Sequence, residues 1–315
     1  MLKIYVRAAI HLFCYSIRVD KRELLKMEGP LLIASNHPNS FLDAIIFDIL
    51  FDVPITSLAR GDAFKNKHIF RLLRRLKMLP VYRIREGAQN LNVNYDTFDA
   101  CLELFQQKEA VLIFSEGFCV NEWHLRPLKK GTARLAFQAW KENIPLKVLP
   151  AGINYSSFRR YGKKVRVHLG APIPVSIFSA AQSDGNNYAH FNEVLNNQLQ
   201  QLVYEIPRGD EELLRERFGQ TSITKKILLG PLAFAGALLN APVYGLARLV
   251  TKMFFEKSDH YDSVMLGFLL LAYPFYLALF TTLAYHFISG WGLLALIALP
   301  LTAFCYVKYE VRLDH

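Results

Sequence analysis

Short apolar runs alternate with longer stretches of helical periodicity over the middle of the chain, from about residue 30 to residue 175. The apolar runs are typical of buried strands and lie at 31–34, 55–58, 78–82, 110–114, 147–154 and 164–169. The helical patterns between them lie near 41–52, 63–76, 90–107 and 131–143. Strands separated by helices of this length predict βα units, and therefore an α/β fold with a mostly parallel sheet flanked by helices.

The C-terminal part of the chain has a different pattern, because apolar residues dominate after Lys226. No Asp, Glu, Lys or Arg occurs between Ser263 and Val307. The apolar segments are 227–247, 263–287 and 290–307. Since about 20 apolar residues in a helix span a bilayer, the sequence predicts a C-terminal helical membrane region over residues 226–315.

The basic residues beside these segments indicate how the chain crosses the membrane. Lys or Arg occurs at every flank except the short link between the second and third segments; these residues are Lys225, Lys226, Arg248, Lys252, Lys257, Lys308 and Arg312. Because positive loops stay in the cytoplasm, the pattern favours a hairpin of the last two segments over three spans, with the α/β domain on the cytoplasmic face. The first segment contains Pro231 and Pro242 and is then predicted to be a broken or interfacial helix.

The N-terminal stretch MLKIYVRAAIHLFCYSIRV places Lys3, Arg7 and Arg18 among apolar residues and lacks the cleavage site of a signal peptide. It predicts an amphipathic helix on the membrane surface, although a helix packed on the domain would have the same apolar stripe. The predicted units are a membrane-surface helix at 1–29, an α/β domain at 30–210 that ends with a helix at 189–204, a charged linker at 211–225 and the membrane region at 226–315.

The net charge and the cysteine content of the chain limit the kinds of binding partner and the cellular compartment that the sequence predicts. The formal net charge of +10 is not accompanied by a base-stacking or groove-reading motif, so we predict no nucleic-acid partner. Anionic membrane lipids and phosphorylated substrates account for the same charge. No C-x-x-C pair occurs among Cys14, Cys101, Cys119 and Cys305, so the sequence predicts neither a metal site nor a disulfide framework. Free cysteines of this kind indicate a domain that faces a reducing cytoplasm.

Two ionisable residues stand close together in the stretch SNHPNSFLDA, at residues 35–44 directly after the first strand. In one interpretation Ser40 caps the next helix and Asp43 lies near its positive end. In the other, Asp43 holds one ring nitrogen of His37, so that the other nitrogen accepts a proton from a hydroxyl. No nucleophile elbow surrounds Ser35 or Ser40, so that hydroxyl is expected to belong to the substrate.

Further polar residues follow later predicted strands. Arg83 and Arg85 have forked guanidinium groups that suit a phosphate. Glu116 and Gly117 follow another strand. The basic residues Arg126, Lys129 and Lys130 precede the next helix, and the free N–H groups at the start of that helix suit an anion. Each residue alone also has a plain interpretation as a surface charge or a turn residue, and the order of the stretches at strand ends is what favours a binding site.

In this order the stretches resemble the glycerolipid acyltransferase superfamily, which contains glycerol-3-phosphate and 1-acylglycerol-3-phosphate acyltransferases. The blocks of that superfamily are N-H-x4-D, G-x-x-F-x-x-R, F-P-E-G-T and a Val/Ile-Pro strand, and the resemblance covers about residues 30–175. It implies an acyltransferase-type fold. It also implies that His37 is the general base and that Asp43 orients it.

The other blocks imply residues that bind substrate. Arg83 matches the arginine that binds the acceptor phosphate, and Glu116-Gly117 and Pro150 match the third and fourth blocks. The chain departs from the superfamily in two places. Five residues instead of four separate His37 from Asp43, so the loop is expected to bulge. In the third block Ser115 replaces proline and Phe118-Cys119 replaces Thr-Arg. The candidates to replace the missing arginine are Arg85, Arg126 and Lys130.

The resemblance implies a membrane-bound O-acyltransferase of phospholipid synthesis that needs no metal or other cofactor. His37 would deprotonate an acceptor hydroxyl, and the alkoxide would attack the thioester of acyl-CoA or acyl carrier protein. The expected acceptor is glycerol 3-phosphate or 1-acylglycerol 3-phosphate. The missing arginine leaves a lyso-aminolipid or another lysolipid as an alternative acceptor. A lipid-binding membrane protein that retains the fold without turnover is the alternative from a different class.

Overall fold

The computed structural model describes residues 2–64, 67–81, 91–177 and 182–314. The strands are β1 (Cys14–Val19), β2 (Leu31–Ser35), β3 (Ile55–Arg60), β4 (Met78–Val81), β5 (Ala110–Phe114), β6 (Lys147–Tyr155) and β7 (Lys163–Leu169). The helices of the α/β part are α1 (Leu2–Phe13), α2 (Phe41–Leu50), α3 (Lys67–Arg75), α4 (Leu91–Gln106), α5 (Gly131–Lys141), α6 (Asp184–Leu202) and α7 (Glu211–Phe218). The C-terminal helices are α8 (Ile223–Phe255), α9 (Tyr261–Ile288) and α10 (Ala295–Tyr309).

The strands form one seven-stranded sheet in the order β1-β7-β6-β2-β5-β3-β4. Neighbouring strands are parallel except β6 and β7, which are antiparallel. In the centre, Ser35 at the end of β2 lies opposite Phe114 at the end of β5. This mixed, mostly parallel sheet flanked by helices confirms the predicted α/β fold.

Alternate residues of the central strands pack on opposite faces of the sheet, as the period of a strand requires. Leu31 and Ile33 of β2 pack in the cluster that includes α1, α2, α8 and α9. Leu32 and Ala34 pack on the other face, with α4, α5 and α6. All four side chains are fully buried. The C-terminal helices α8 and α9 therefore share one face of the sheet with α1 and α2.

The N-terminal helix is shorter than predicted, because α1 ends at Phe13 and the next residues form β1, parallel to β7. The sheet therefore begins before the predicted boundary at residue 30. As an edge strand, β1 has only one neighbouring strand and most of its residues are half-buried, so its sequence pattern is weak. Ile10 and Phe13 are buried in the core, whereas Ile4 is 74% exposed. The second half of α1 is therefore packed on the domain, which is the alternative to a helix on the membrane surface.

The first C-terminal helix, α8, is continuous over 33 residues although it contains Pro231 and Pro242. Of the two predicted alternatives, a broken or an interfacial helix, the break is therefore wrong and the interfacial position stays a prediction. A proline inside a helix removes one hydrogen bond, but Gly236 lets α8 lie directly against the backbone of Thr302 in α10. Close packing of this kind outweighs a local preference against helix.

Both ends of α8 lie against the α/β domain. Near its start, Lys225 donates a hydrogen bond to the hydroxyl of Tyr15, with 2.9 Å between Nζ and the hydroxyl oxygen. Just after its end, the carboxylate of Asp259 accepts a hydrogen bond from the backbone N–H of Asn121 at 3.1 Å. The helix therefore runs along the domain and does not lead away from it.

The helices α9 and α10 form a hairpin that leaves the domain and returns to it. At the start of α9, the backbone N–H of Leu42 donates to the hydroxyl of Ser263 at 3.2 Å. Near the end of α10, Lys308 donates to the carbonyl oxygen of Tyr15 at 2.6 Å. Trp291, in the turn between the helices, is 75% exposed.

Among the described residues, two helical stretches are long and apolar enough to cross a membrane, Ile223–Phe255 and Tyr261–Tyr309, and the second comprises the hairpin. In the most apolar segment of 18 residues within each stretch, only 28% and 22% of the residues are buried in the protein. A core helix of a soluble domain would be mostly buried, so the exposed apolar surface is consistent with the predicted membrane region.

Candidate active site

Two polar residues identified from the sequence, His37 and Glu116, lie at one edge of the sheet. His37 follows β2, and Glu116 follows β5. Because these two strands are adjacent and parallel, the loops at their carboxyl ends are neighbours. Ligands of such sheets bind in the crevice outside the carboxyl ends of the strands.

His37 and Asp43 form a hydrogen-bonded pair in spite of the additional residue between them. The Nδ1 atom of His37 lies 2.9 Å from Oδ2 of Asp43, which is fully buried in the first turn of α2. An ionised carboxylate can only accept hydrogen bonds, so Nδ1 is assigned as the protonated nitrogen and Nε2 as the acceptor. The side chain of His37 is 19% exposed, which leaves an approach to the ring.

Within the loop between His37 and Asp43, Ser40 has a φ of +53°, in the left-handed region that few residues other than glycine adopt. Its hydroxyl does not cap α2. The hydroxyl instead pairs with Nδ1 of His260 at 2.5 Å, and the backbone N–H of Ser40 donates to the sulfur of Cys119 at 3.0 Å. Ser40 thus occupies the predicted N-cap position, with Asp43 in the first turn of α2, but its hydroxyl bonds the residue before α9 instead of capping α2.

Asp43 accepts two further hydrogen bonds. The backbone N–H of Asn39 donates to Oδ2 at 2.8 Å, and the hydroxyl of Tyr155 donates to Oδ1 at 2.6 Å. Burial and the nearby charge of Asp43 raise the pKa of Tyr155 well above 10, so its hydroxyl stays a donor. A buried carboxylate needs such donors, because a buried charge without partners is costly.

The ring of His37 is also fixed from β5 and β6. It stacks on Phe114 with the ring centroids 3.8 Å apart and the planes 11° from parallel. The side-chain amide of Asn36 bonds the backbone of Ile153 with both of its ends, at 3.0 and 2.8 Å. The histidine therefore follows a residue that is pinned to the neighbouring strand.

Glu116 connects the loops after β2 and β5. One carboxylate oxygen accepts the backbone N–H of His37 at 2.8 Å, and the other accepts the backbone N–H of Arg126 at 2.9 Å. Burial raises the pKa of Glu116, and the two hydrogen bonds oppose that effect. Glu116 thus sets the distance between the histidine and the segment that carries Arg126.

Comparison with known proteins places these residues in a family. Residues 16–154 match the family described as Acyltransferase, a range that includes His37, Asp43 and Glu116. The 1-acyl-sn-glycerol-3-phosphate acyltransferase of Bacillus subtilis (strain 168) is 22% identical over 191 residues, which cover 60% of this chain and 89% of that protein. Residues 16–154 thus form a domain of the Acyltransferase family, and the comparisons support the resemblance to the glycerolipid acyltransferase superfamily. The family and the bacterial relative indicate an acyltransferase enzyme.

A solved structure resembles the chain more distantly. The crystal structure of the 1-acyl-sn-glycerophosphate (LPA) acyltransferase PlsC from Thermotoga maritima has a TM-score of 0.46 and 16% sequence identity. The similarity covers 67% of this chain and 78% of that one.

The third block of the superfamily reads FSEG in this chain. Gly117 has a φ of +73°, where a side chain is strained, and an added Cβ would lie 3.0 Å from Cγ of Lys129. Both carboxylate oxygens of Glu116 already accept backbone N–H groups. Contact of these two residues with substrate stays a prediction, whereas their role in holding the loops follows from the geometry.

The predicted basic residues have different positions in this acyltransferase. The guanidinium of Arg126 lies over the ring of Phe118 at 5.2 Å and donates to Glu122 at 2.7 Å. Lys130 is exposed at the start of α5. Arg83 and Arg85 lie outside the described residues, so their predicted contacts with an acceptor phosphate stay predictions.

The sequence did not single out several residues of the site. Tyr155 ends the stretch VLPAGINY, where an aromatic residue after an apolar run indicates a core position. Asn39 lies at an unspecified position of the first block, where any residue is allowed. His260 is 220 residues after Ser40 along the chain, and Asp259 precedes it directly. Only the fourth block, which contains the strand of Tyr155, offered a signal.

We expect Tyr155→Phe to lower kcat by about tenfold or more, because a hydrogen bond to a charged group contributes roughly 1.5–3 kcal/mol. The KM values should change little, since Tyr155 touches Asp43 and not the substrate. Tyr204→Phe is the matched control, because it removes a hydroxyl that bonds Nε2 of His168 at 3.0 Å. Steady-state acyl transfer by the two purified variants measures the difference, and equal kcat values would contradict the role of Tyr155.

Proposed function

We propose that the chain is a membrane-bound O-acyltransferase of phospholipid synthesis that acylates glycerol 3-phosphate or 1-acylglycerol 3-phosphate. The donor is an acyl thioester, either acyl-CoA or acyl carrier protein. The observation that carries the proposal is the His37–Asp43 pair, whose 2.9 Å hydrogen bond leaves Nε2 as a proton acceptor at the carboxyl edge of the sheet. The printed name of the Bacillus subtilis relative supports the choice of acceptor.

The proposed reaction begins with transfer of the acceptor's hydroxyl proton to Nε2 of His37. The resulting alkoxide attacks the thioester carbonyl, and the C–S bond breaks as the tetrahedral intermediate collapses. The thiolate leaves with the proton that the imidazolium returns. Asp43 keeps the proton on Nδ1 throughout and stabilises the imidazolium, so the same histidine acts first as base and then as acid.

Arg126 is the described residue best placed to bind an acceptor phosphate. Its backbone shares the carboxylate of Glu116 with the backbone of His37, which fixes it beside the base. Its Nε atom is buried and has no hydrogen-bond partner among the described residues. A guanidinium offers a forked set of donors that suits a phosphate. Arg126 therefore takes the role of the arginine that Cys119 replaces in the third block.

Cys119 also supports a second candidate, in which the acceptor is a lyso-aminolipid or another lysolipid. Its sulfur accepts a hydrogen bond from Ser40, and burial together with nearby carboxylates keeps the thiol protonated by raising its pKa. The position that carries arginine in the superfamily is thus uncharged here.

The experiment compares acceptors with and without a phosphate monoester on purified protein and radiolabelled acyl-CoA or acyl carrier protein. Transfer to glycerol 3-phosphate or its 1-acyl derivative is expected, and transfer to a lyso-aminolipid alone would replace the leading proposal by the second.

Arg126→Ala should raise the KM of the acceptor by about tenfold or more and leave that of the donor nearly unchanged. The matched control is Arg134→Ala, since Arg134 is exposed on α5. Equal changes in both KM values would contradict the role of Arg126.

We also propose that the α9–α10 hairpin spans the membrane, that α8 lies at the interface and that the α/β domain faces the cytoplasm. Both ends of α8 contact the domain, and α10 returns to it. After α10, the carboxylate of Asp314 accepts the hydroxyl of Ser157 at 2.6 Å. Three spans would place the segments after α8 and after α10 on the side away from the domain, which these contacts oppose.

Single cysteines at Lys257 and Ser289, in a background without the four native cysteines, distinguish the two arrangements. Both positions are exposed, one after α8 and the other in the hairpin turn. With a membrane-impermeant thiol reagent on intact cells, we expect labelling of Ser289→Cys and labelling of Lys257→Cys only after permeabilisation. The reverse pattern would mean three spans.

A further inference from the structure

The first turn of α9 carries a carboxylate that is buried beneath the active-site loop. Asp262 and Lys163 of β7 have fully buried side chains and form an ion pair. The Oδ2 atom of Asp262 also accepts a hydrogen bond from the side-chain amide of Asn39, with 2.8 Å between the two atoms. The hairpin, the sheet and the loop after β2 therefore meet at this carboxylate.

Asn39 joins this carboxylate to the catalytic pair. Its side chain donates to Asp262, and its backbone N–H donates to Oδ2 of Asp43 at 2.8 Å. The same oxygen of Asp43 holds Nδ1 of His37. A second contact from the same turn strengthens the arrangement, because the hydroxyl of Ser263 accepts the backbone N–H of Leu42. A shift of α9 would thus be transmitted through one residue to the carboxylate that orients the base.

An ion pair is a costly way to attach a helix to a domain. Two buried charges lose their hydration, and well-packed apolar residues of similar volume often stabilise a protein as well or better. Apolar residues would not, however, hold the amide of Asn39 in one orientation. Asp262 lies beyond residues 16–154, which match the family, so its contribution is a property of the C-terminal region of this chain.

We propose that Asp262 is a positioning residue for the catalytic pair, acting through Asn39, and that the hairpin beginning with α9 is therefore part of the active site as well as a membrane anchor. This inference rests on the proposed role of His37 as the base. Lys163 neutralises the carboxylate, and Asp262 directs the amide of Asn39. The loop then presents its backbone N–H to Asp43.

The test replaces the ion pair by apolar residues of similar volume in the full chain, with Asp262→Leu and Lys163→Met together. Removing both partners avoids an uncompensated buried charge, so the melting temperature should stay near that of the parent. Asn39 loses its partner, and kcat should fall by about tenfold or more while both KM values stay within about twofold. A purely structural role of the pair would leave the kcat of the folded protein unchanged.

The second variant is Asn39→Ala, which removes the connecting amide and leaves the ion pair in place. We expect the same fall in kcat from this change alone, and little additional effect when it is combined with the apolar pair, because the two changes break one connection. If the apolar pair does not fold, Asn39→Ala alone decides. The matched control is Lys226→Met with Glu310→Leu, which removes the partly exposed ion pair between the start of α8 and the segment after α10 and should retain kcat.

A parent-like kcat in the folded apolar pair, or in Asn39→Ala, would overturn the inference. Activity of His37→Ala, measured in parallel, separates this failure from that of the proposed function. If His37→Ala is inactive and the apolar pair is fully active, only the role of Asp262 is wrong. If His37→Ala is active, the assignment of the base is wrong, and the inference fails with it.

Discussion

The structure of the site depends on the buried carboxylate of Asp43. A charge without access to water is tolerated only where donors surround it, and here the donors come from different parts of the fold. His37 and Asn39 belong to the loop after β2, and Tyr155 ends β6. Because these groups converge on one carboxylate, the loop has little freedom. The same hydrogen bonds that satisfy Asp43 also hold the imidazole with Nε2 as the acceptor, so stability and chemistry impose the same geometry.

The C-terminal helices add a second constraint on that loop. Ser40 pairs with His260, Leu42 with Ser263, and Asn39 with Asp262, so three residues around the histidine loop contact the segment where α9 begins. This segment lies beside the sheet because α8 runs along the domain and brings the chain back to the active-site edge. In the membrane arrangement that we propose, an apolar hairpin that begins at the loop of His37 would place the reaction at the surface of the membrane, where an acyl donor and a lipid acceptor would meet.

Much of the fold could be predicted from the sequence, since buried parallel strands are recognisable apolar runs and helices between them keep their period. The strand at Cys14–Val19 could not, because it is a half-buried edge strand. The continuity of α8 could not either, since Gly236 and its close contact with α10 compensate for the prolines. At the site, His37 and Asp43 were recognisable by type and spacing. Tyr155 and Asp262 were not, because an aromatic residue at a strand end and an acid at a helix start have ordinary structural explanations until their neighbours are known.

The proposed role of His37 as the base of an acyl transfer is tested most directly by the rate of transfer that purified His37→Ala retains. A general base contributes about 10²–10⁴-fold to the rate, and activity should fall by that factor. The melting temperature should stay close to that of the parent, since the ring is partly exposed and Asp43 keeps its bonds to Asn39 and Tyr155. A folded His37→Ala variant that transfers acyl groups within about twofold of the parent rate would contradict the account.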